Sequence, residues 1–184
     1  MNEETFTEFC ERIIDQLCTK SEAMSGGKEL VTNEDVNTAN KSPLFHKHHY
    51  LVLKLKSHLI SQYGNTGQMY NNLKESLILR KISLCDEFIN VFSKIDTGKG
   101  TDWWAITMYE KIRAETTMDQ RRLDAGRLSM KDFIDNVRKS IEVWQEIIEI
   151  LRIEPKGSYL RKIATRTEKE ISKARELVLM AQLF

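Results

Sequence analysis

The chain has little of what marks a secreted, strongly charged or metal-stabilised protein. Its 184 residues include two prolines and three cysteines, and 28 Lys and Arg nearly balance 27 Asp and Glu. The formal net charge of +1 gives no global field that would attract a nucleic acid or an anionic membrane, so neither is expected as a partner. The cysteines show no CxxC spacing, which argues against a disulfide framework and against a zinc knuckle.

The sequence also lacks recognisable targeting and membrane-spanning segments. Its acidic and then amphipathic start has no basic region, apolar run and cleavage site of the kind that a signal peptide requires. No stretch approaches the roughly 20 apolar residues that cross a bilayer. We therefore expect a soluble, reduced protein of the cytoplasm, the nucleus or both, with 41% hydrophobic residues to build one domain with a core.

Hydrophobic spacing predicts helices along most of the chain. Apolar residues recur at spacings of three and four in every long segment, and no alternating run of β-branched residues appears. The scarcity of proline agrees with this, since Pro43 and Pro155 lie where helices would begin or end. Short connections make each helix double back on the one before it. We predict an all-α array of about six antiparallel helices, either a bundle or a solenoid of helical hairpins.

Composition divides the chain into three regions. Residues 1–20 are predicted to form an N-terminal helix, residues 21–41 a polar linker, and residues 42–184 a helical-hairpin domain. Within that domain a polar, arginine-rich joint is expected over residues 118–129. The first two helices of the domain are predicted to begin after Ser42-Pro43 and to span 69–95, the latter with an inward stripe that includes Arg80. The next is predicted to begin near residue 101, and the last two to carry apolar stripes over 133–151 and within 159–180.

Three of the four histidines, His46, His48 and His49, fall within four residues at the start of the second predicted helix. On a helix only His46 and His49 share a face, and two ligands leave a zinc site incomplete. No HExxH motif adds a further group. We therefore predict no metal site and interpret His48, in line with the apolar stripe, as a half-buried packing residue.

Aromatic residues are also interpreted as packing residues. Trp103 and Trp104 are consecutive on a helix and face different ways, so core packing is favoured over a stacking platform for a base or a sugar. Trp144 lies on the apolar stripe of the fifth helix, which a turn at Pro155 ends. We predict that Trp103, Trp144 and Pro155 have structural roles.

The arginines and cysteines are the remaining residues that could bind a ligand or take part in a reaction. Arg121, Arg122 and Arg127 could clasp a carboxylate or a phosphate, but neighbouring aspartates dilute their charge and favour a solvated loop. Cys85, like the other cysteines Cys10 and Cys18, lies on an apolar stripe without an obvious base. No glycine-rich phosphate loop or GxSxG elbow occurs. The sequence therefore predicts no catalytic or cofactor-binding residue.

Several stretches nevertheless resemble a known family. They are HKHHYLVLKLKSHLISQYG (46–64), SLILRKISLCDEFINVFSKIDTG (76–98) with the following Trp103 and Tyr109, and IEVWQEIIEILRIEPKGS (141–158). In order and spacing they are similar to the C-terminal helical region of the SET- and MYND-domain (SMYD-type) protein lysine methyltransferases, most of all the arthropod branch, over residues 45–179. The resemblance implies helical hairpins like those of tetratricopeptide repeats.

The motifs of the family's catalytic parts do not occur in this chain. There is no NHxC motif, no GEE followed by a tyrosine, and no zinc-binding cysteine cluster. The parent family uses S-adenosylmethionine and zinc, but the resemblance assigns no cofactor to residues of this chain. We expect an interaction or scaffold module for a protein partner or a SET catalytic lobe, without a small-molecule substrate. Two alternatives are a fragment of an active methyltransferase whose SET domain lies upstream, and a histidine-based metal protein.

Overall fold

All the regular structure of the described residues is helical. A computed structural model describes residues 12–14, 49–63, 73–95 and 101–181. Residues 12–14 are helical, and no strand occurs in these four ranges, which confirms the prediction of an all-α array. The main helices are α1 (Tyr50–Gln62), α2 (Glu75–Ile95), α3 (Asp102–Asp124), α4 (Met130–Leu151) and α5 (Tyr159–Ala181).

The chain divides into two compact units, Met1–Gln62 and Tyr63–Phe184. The first unit contains α1, in which Val52 and Leu59 are completely buried. The predicted linker and most of the predicted N-terminal helix lie outside the described residues, as does the predicted start of the second helix at Ser42-Pro43. In the part of the chain that the structure describes, no helix is long and apolar enough to cross a bilayer.

In the second unit, consecutive helices pack against one another in antiparallel pairs. α2 packs on α3, α3 on α4 and α4 on α5, with a smaller contact between α3 and α5. Arg121 near the end of α3 meets the carbonyl of Leu73 before α2, whereas Trp103 at the start of α3 stacks on Phe92 near the end of α2. Such pairing follows from the short connections between the helices.

Local capping sets where α3 and α4 begin. The Thr101 hydroxyl accepts a hydrogen bond from the Trp104 backbone N–H at 3.3 Å, which agrees with the predicted start near residue 101. The Ser129 hydroxyl likewise accepts from the Asp132 N–H at 3.1 Å and begins α4. Each hydroxyl satisfies a backbone donor that the first helical turn leaves without an intrahelical acceptor.

The joint predicted over residues 118–129 is shorter than the sequence suggested. Residues 118–124 form the last two turns of α3, and only residues 125–129 connect α3 to α4. Gln, Arg and Leu in this segment favour a helix almost as much as alanine does, so polarity alone did not end it. The helix ends before Gly126, whose φ of +67° is the left-handed conformation that glycine adopts without steric cost.

The start and the inner face of α2 also differ from the prediction. Leu73 and Lys74 are not helical, so α2 begins at Glu75 rather than at residue 69. The predicted stripe placed Arg80 inward, but Arg80 is exposed and Lys81 is fully buried. Nothing in the sequence indicates which of these two adjacent cations is buried, because that depends on bonds to residues far along the chain.

The core of the second unit lies mainly between α3, α4 and α5. Most of its buried members come from α4 and α5, and partly buried Trp104 and Ile141 pack against them. A smaller cluster of Ile78, Ala114 and Met118 joins α2 to α3. The principal buried residues of the larger cluster are Tyr109, Ile112, Phe133, Val137, Trp144, Ile147, Leu151, Ile163 and Ile171.

Candidate functional site

An open groove lies on α3 between α2 and α4, entirely within the second unit. Its volume of about 430 Å³ is within the range of protein pockets that hold ligands. The groove is lined by two residues of α2, by one face of α3 from Met108 to Arg122, and by α4 from Phe133 to Val143. The packing of both neighbours on α3 therefore creates a concave surface.

Much of the groove lining is apolar. Ile112 and Phe133 are buried at its base, at 3% exposure each. Leu79, Met108 and Val143 also line the groove and are only partly covered, with 46% of Leu79 exposed. A partly exposed leucine in a concave apolar surface still has water to lose when another apolar group binds.

The polar groups at one end of the groove already bind one another. The Asn136 side-chain amide donates to the Asp119 carboxylate at 2.8 Å and so links α4 to α3. Arg122, one turn from Asp119 on α3, lies 3.6 Å from the same carboxylate. These bonds make this end of the groove a fixed polar boundary.

Glu115, a second carboxylate that lines the groove, shares a lysine with Asp86 on α2. The Lys111 ammonium lies 2.6 Å from Asp86 on α2 and 3.5 Å from Glu115 on α3. Partial burial lowers the pKa of Lys111, but the two carboxylates raise it more, so its net shift is upward. Burial raises the pKa of Glu115, which Lys111 offsets only in part. One ammonium thus serves two carboxylates beside the groove.

A buried charged cluster lies apart from the groove, between α2 and α3. The Lys81 side chain is fully buried; its ammonium donates to the Tyr63 carbonyl at 2.6 Å and forms an ion pair with the Glu110 carboxylate. Arg113 lies 3.7 Å from Glu110. Burial lowers the pKa of Lys81, while Glu110 acts in the opposite direction. Lys81 does not line the groove, and its side chain is completely buried.

Cys85 lies one turn after Lys81 and is fully buried. Burial raises the pKa of its thiol to about 12, with Lys81 the largest opposing influence. Because the thiolate is the reactive form of cysteine, this site is chemically inert at neutral pH. The prediction that Cys85 is a packing residue is confirmed, whereas Cys10 and Cys18 lie outside the described residues.

The histidine cluster is only partly described. His46 and His48 lie outside the described residues, so the packing role of His48 stays a prediction. His49 is exposed just before α1, and its Nδ1 lies 3.3 Å from the Leu51 backbone N–H, as in a helix cap. Among the residues that the structure describes, no three His, Cys, Asp or Glu side chains are grouped so as to hold a metal ion.

The tryptophans separate into one exposed and two packed residues. Trp103 is 50% exposed and stacks on Phe92, with ring centroids 6.4 Å apart, so it packs on α2 at the surface rather than in the core. Trp104 faces the main core instead, because the next helical residue points about 100° away. Trp144 is 4% exposed, which confirms its place in the core. Within the described part of the chain, no hydrogen-bond acceptor meets its indole nitrogen.

Pro155 lies in the turn between α4 and α5, as predicted. Its side chain is exposed, and its carbonyl accepts a hydrogen bond from the Ser158 backbone N–H at 3.1 Å. The Ser158 hydroxyl in turn accepts from the Arg161 N–H at 3.0 Å, at the start of α5. Pro155 therefore lies in the turn that follows α4, and Ser158 caps the start of α5.

Of the three arginines predicted to occupy a solvated loop, two bind residues at the start of α2, and Arg122 pairs with Asp119 within α3. Arg121 donates to the Leu73 carbonyl at 2.7 Å, and Arg127 lies 3.5 Å from the Glu75 carboxylate. Arg121 and Arg122 belong to α3, so the interpretation of these two as loop residues was wrong. The contacts of Arg121 and Arg127 fasten the end of α3 to the start of α2 rather than form an anion-binding loop.

Comparisons with known proteins assign no family to the chain. No protein-family model, curated protein or solved structure matches it. Its function has to be inferred from its own residues and their arrangement.

Proposed function

We propose that this chain is a protein-interaction module that holds a segment of a partner protein in the groove between α2 and α4. The observation that carries the proposal is the open, largely apolar lining on α3, bounded at one end by polar groups that already bind one another. A surface of this kind gains stability from covering apolar area and requires no reacting group.

The chemistry of the buried groups favours binding over catalysis by these residues. Lys81 and Cys85 have shifted pKa values, as catalytic groups often do, but both side chains are completely buried and neither lines the groove. Their shifts have a simpler cause in the packing of α2 on α3. Burial makes charge unfavourable in both, which lowers the lysine pKa and raises that of the thiol.

We also propose that the module corresponds to the C-terminal helical lobe of SMYD-type methyltransferases, with tetratricopeptide-like hairpins. The sequence motifs at 46–64 and 141–158 support this relationship. Its partner would then be another protein or a SET catalytic lobe, and S-adenosylmethionine and zinc would belong to the catalytic parts. The alternative, a fragment of an active methyltransferase with its SET domain upstream, uses the same helical surface.

A pair of leucine variants tests the groove. Leu79→Glu places a charge on the apolar lining at a position that is 46% exposed, so the fold should tolerate it. Leu179→Glu makes the same change at a 62% exposed position on α5, outside the groove. We expect a protein cross-linked to the wild-type chain in cell extract to be retained by Leu179→Glu and lost by Leu79→Glu.

Thermal melting of both variants provides the folding control for this experiment. Surface substitutions usually change stability by less than about 0.5 kcal/mol, so both variants should melt close to the wild type. Equal capture of the same protein by the wild type and by folded Leu79→Glu would refute the groove as the binding surface.

A further inference from the structure

The charges around the groove are unevenly distributed along its walls. At one end Asp119 is satisfied by Asn136 and Arg122. In the middle, Glu115 and Asp86 share the single ammonium of Lys111, which lies nearer to Asp86. The three groups together carry one excess negative charge, and 43% of the Glu115 side chain remains accessible. A ligand that covers the groove without a cation would further desolvate this carboxylate.

The opposite wall carries a cation of a different kind. Lys139 on α4 lines the groove and is exposed, so its ammonium can remain in water while its stem covers apolar surface. Arg122 is already engaged with Asp119. When a ligand covers the groove, Glu115 on the α3 floor is therefore the charged group that would gain most from an additional cation.

The dimensions and walls of the groove favour a helical ligand. Its lining on α3 extends from Met108 to Arg122, about 21 Å at 1.5 Å per residue, which equals about four turns of a bound helix. The walls are helices whose backbone groups bond internally, so they offer an extended peptide no strand edge to pair with. A helix brings its own backbone hydrogen bonds and can place apolar side chains at i, i+3 and i+4 along the groove.

We infer that the groove binds an amphipathic helix of another protein, in which a lysine or arginine lies among the apolar contact residues and pairs with Glu115. This inference rests on the proposed function and adds the chemistry of the partner. Apolar residues on either side of the cation cover Leu79 and Met108, and the cation restores the charge balance that Glu115 and Asp86 lack with Lys111 alone. A ligand with a carboxylate at this position meets like charge and binds more weakly.

A displayed library of helical peptides tests the inference directly. The peptides are about 16 residues long, enough to cover the groove as a helix, and each turn of one face is randomised. Selection on the wild-type chain is followed by removal of peptides that also bind Leu79→Glu. We expect the remaining peptides to combine two or three apolar residues at helical spacing with a lysine or arginine between them.

Charge exchange then places the cation next to Glu115. Glu115→Gln should weaken binding of a selected lysine peptide about fivefold, the value of roughly 1 kcal/mol from one partly exposed pair. Glu176→Gln removes a carboxylate from the exposed surface of α5 and should leave the affinity unchanged. Glu115→Lys should bind the same peptide better when its lysine is replaced by glutamate.

The outcomes separate this inference from the proposed function. If the selected peptides depend on Leu79 but carry acidic residues or no charge, the inference of a basic partner helix is wrong, while the groove is still a binding surface. Failure to obtain any peptide that depends on Leu79 would overturn both. Sedimentation of the chain alone provides another check, because a dimer that Leu79→Glu dissociates would identify a second copy as the occupant and overturn the inference.

Discussion

Two helix interfaces of the second unit are held together by different chemistry. Between α4 and α5 the buried groups are mostly hydrocarbon and aromatic, with Trp144, Leu151 and Ile163 each at most 4% exposed. Between α2 and α3 a fully buried lysine, Lys81, bridges the Tyr63 carbonyl and the Glu110 carboxylate beside apolar neighbours. The first interface depends on buried area, whereas the second also depends on the direction of individual bonds.

This difference affects how strictly each interface fixes the position of its helices. Apolar contacts are non-directional, so interlocking shapes determine how α4 lies on α5. The bonds of Lys81 to Tyr63 and Glu110 favour one particular alignment of α2 with α3, because a shift of α2 would break bonds of a buried ammonium. We interpret Lys81 as a residue that specifies register, at a position where hydrocarbon could supply equal stability.

Trp144→Ala should have the largest effect on stability. The indole is 4% exposed in the main core, so its removal eliminates buried area and leaves a cavity. We expect the free energy of unfolding to decrease by about 3–5 kcal/mol, as for other large-to-small changes in cores. Chemical denaturation measures this value. A loss below about 1 kcal/mol would mean that the apolar interface contributes far less than its burial indicates.

Glu110→Gln should have the next largest effect, through the charged interface. The substitution keeps the side-chain volume but removes the carboxylate that pairs with the buried Lys81 ammonium. Loss of one member of a buried pair is strongly destabilising, and we expect a decrease of about 2–4 kcal/mol near neutral pH. Glu170→Gln, which breaks the exposed pair of Glu170 with Lys173 at 3.3 Å, is the control. It should change stability by less than about 0.5 kcal/mol.

If Glu110→Gln were as mild as this control, the buried pair would have no special importance. The comparison is informative because both variants remove a carboxylate from an ion pair by the same chemical change. They differ in exposure, since the side chains of Lys81 and Glu110 are 0% and 14% exposed and those of Lys173 and Glu170 are 71% and 40% exposed. Solvent and salt therefore screen the second pair much more than the first.

The apolar interface could be predicted from sequence, and the charged one could not. Spacings of three and four identified the stripes of α4 and α5, including Trp144, because a helix that buries one face repeats apolar residues with its own period. The inner face of α2 was misjudged at Arg80 and Lys81. Which of two adjacent cations is buried depends on Glu110, 29 residues beyond Lys81, and periodicity holds no information about such long-range pairs.

From the sequence one could predict that a groove exists, but not which helices form it. An array of amphipathic hairpins predicts concave surfaces between helices, but the participating helices depend on how closely α2 and α4 approach across α3. The polar joint hid part of the site, because residues 118–122 were assigned to a loop although they continue the helix that forms the groove floor. Helix ends are controlled by single capping and glycine residues, so they are harder to locate than the helices themselves.

Trp103→Ala should have a smaller effect than Trp144→Ala, which makes it a matched test of burial. Trp103 is 50% exposed and its principal aromatic neighbour is Phe92. We expect a decrease of about 1 kcal/mol in the free energy of unfolding, the range of one aromatic pair. Denaturation under the conditions used for Trp144→Ala measures it. Equal losses for the two tryptophans would show that Trp103 supports the fold more than its exposure suggests.

Among the variants at the two helix interfaces, the double variant Lys81→Met/Glu110→Leu is expected to show the smallest net change near neutral pH. The substitutions remove both charges, so the protein loses the ion pair and one bond to Tyr63 but no longer bears the cost of burying charge. These effects should cancel to within about 1 kcal/mol.

The same double variant tests the pH dependence of the buried lysine. Burial lowers the pKa of Lys81 in the folded chain below its ordinary value of 10.5. Between the folded and the ordinary pKa, the unfolded wild-type chain therefore binds more protons than the folded one. The wild type should therefore gain stability relative to the double variant as the pH rises through that window. Denaturation of both proteins from about pH 7 to pH 10 measures the difference, and groups such as Cys85 that both share largely cancel. If the difference in unfolding free energy stayed constant, or moved in favour of the double variant as the pH rose, Lys81 would not be a buried charge that destabilises the folded state.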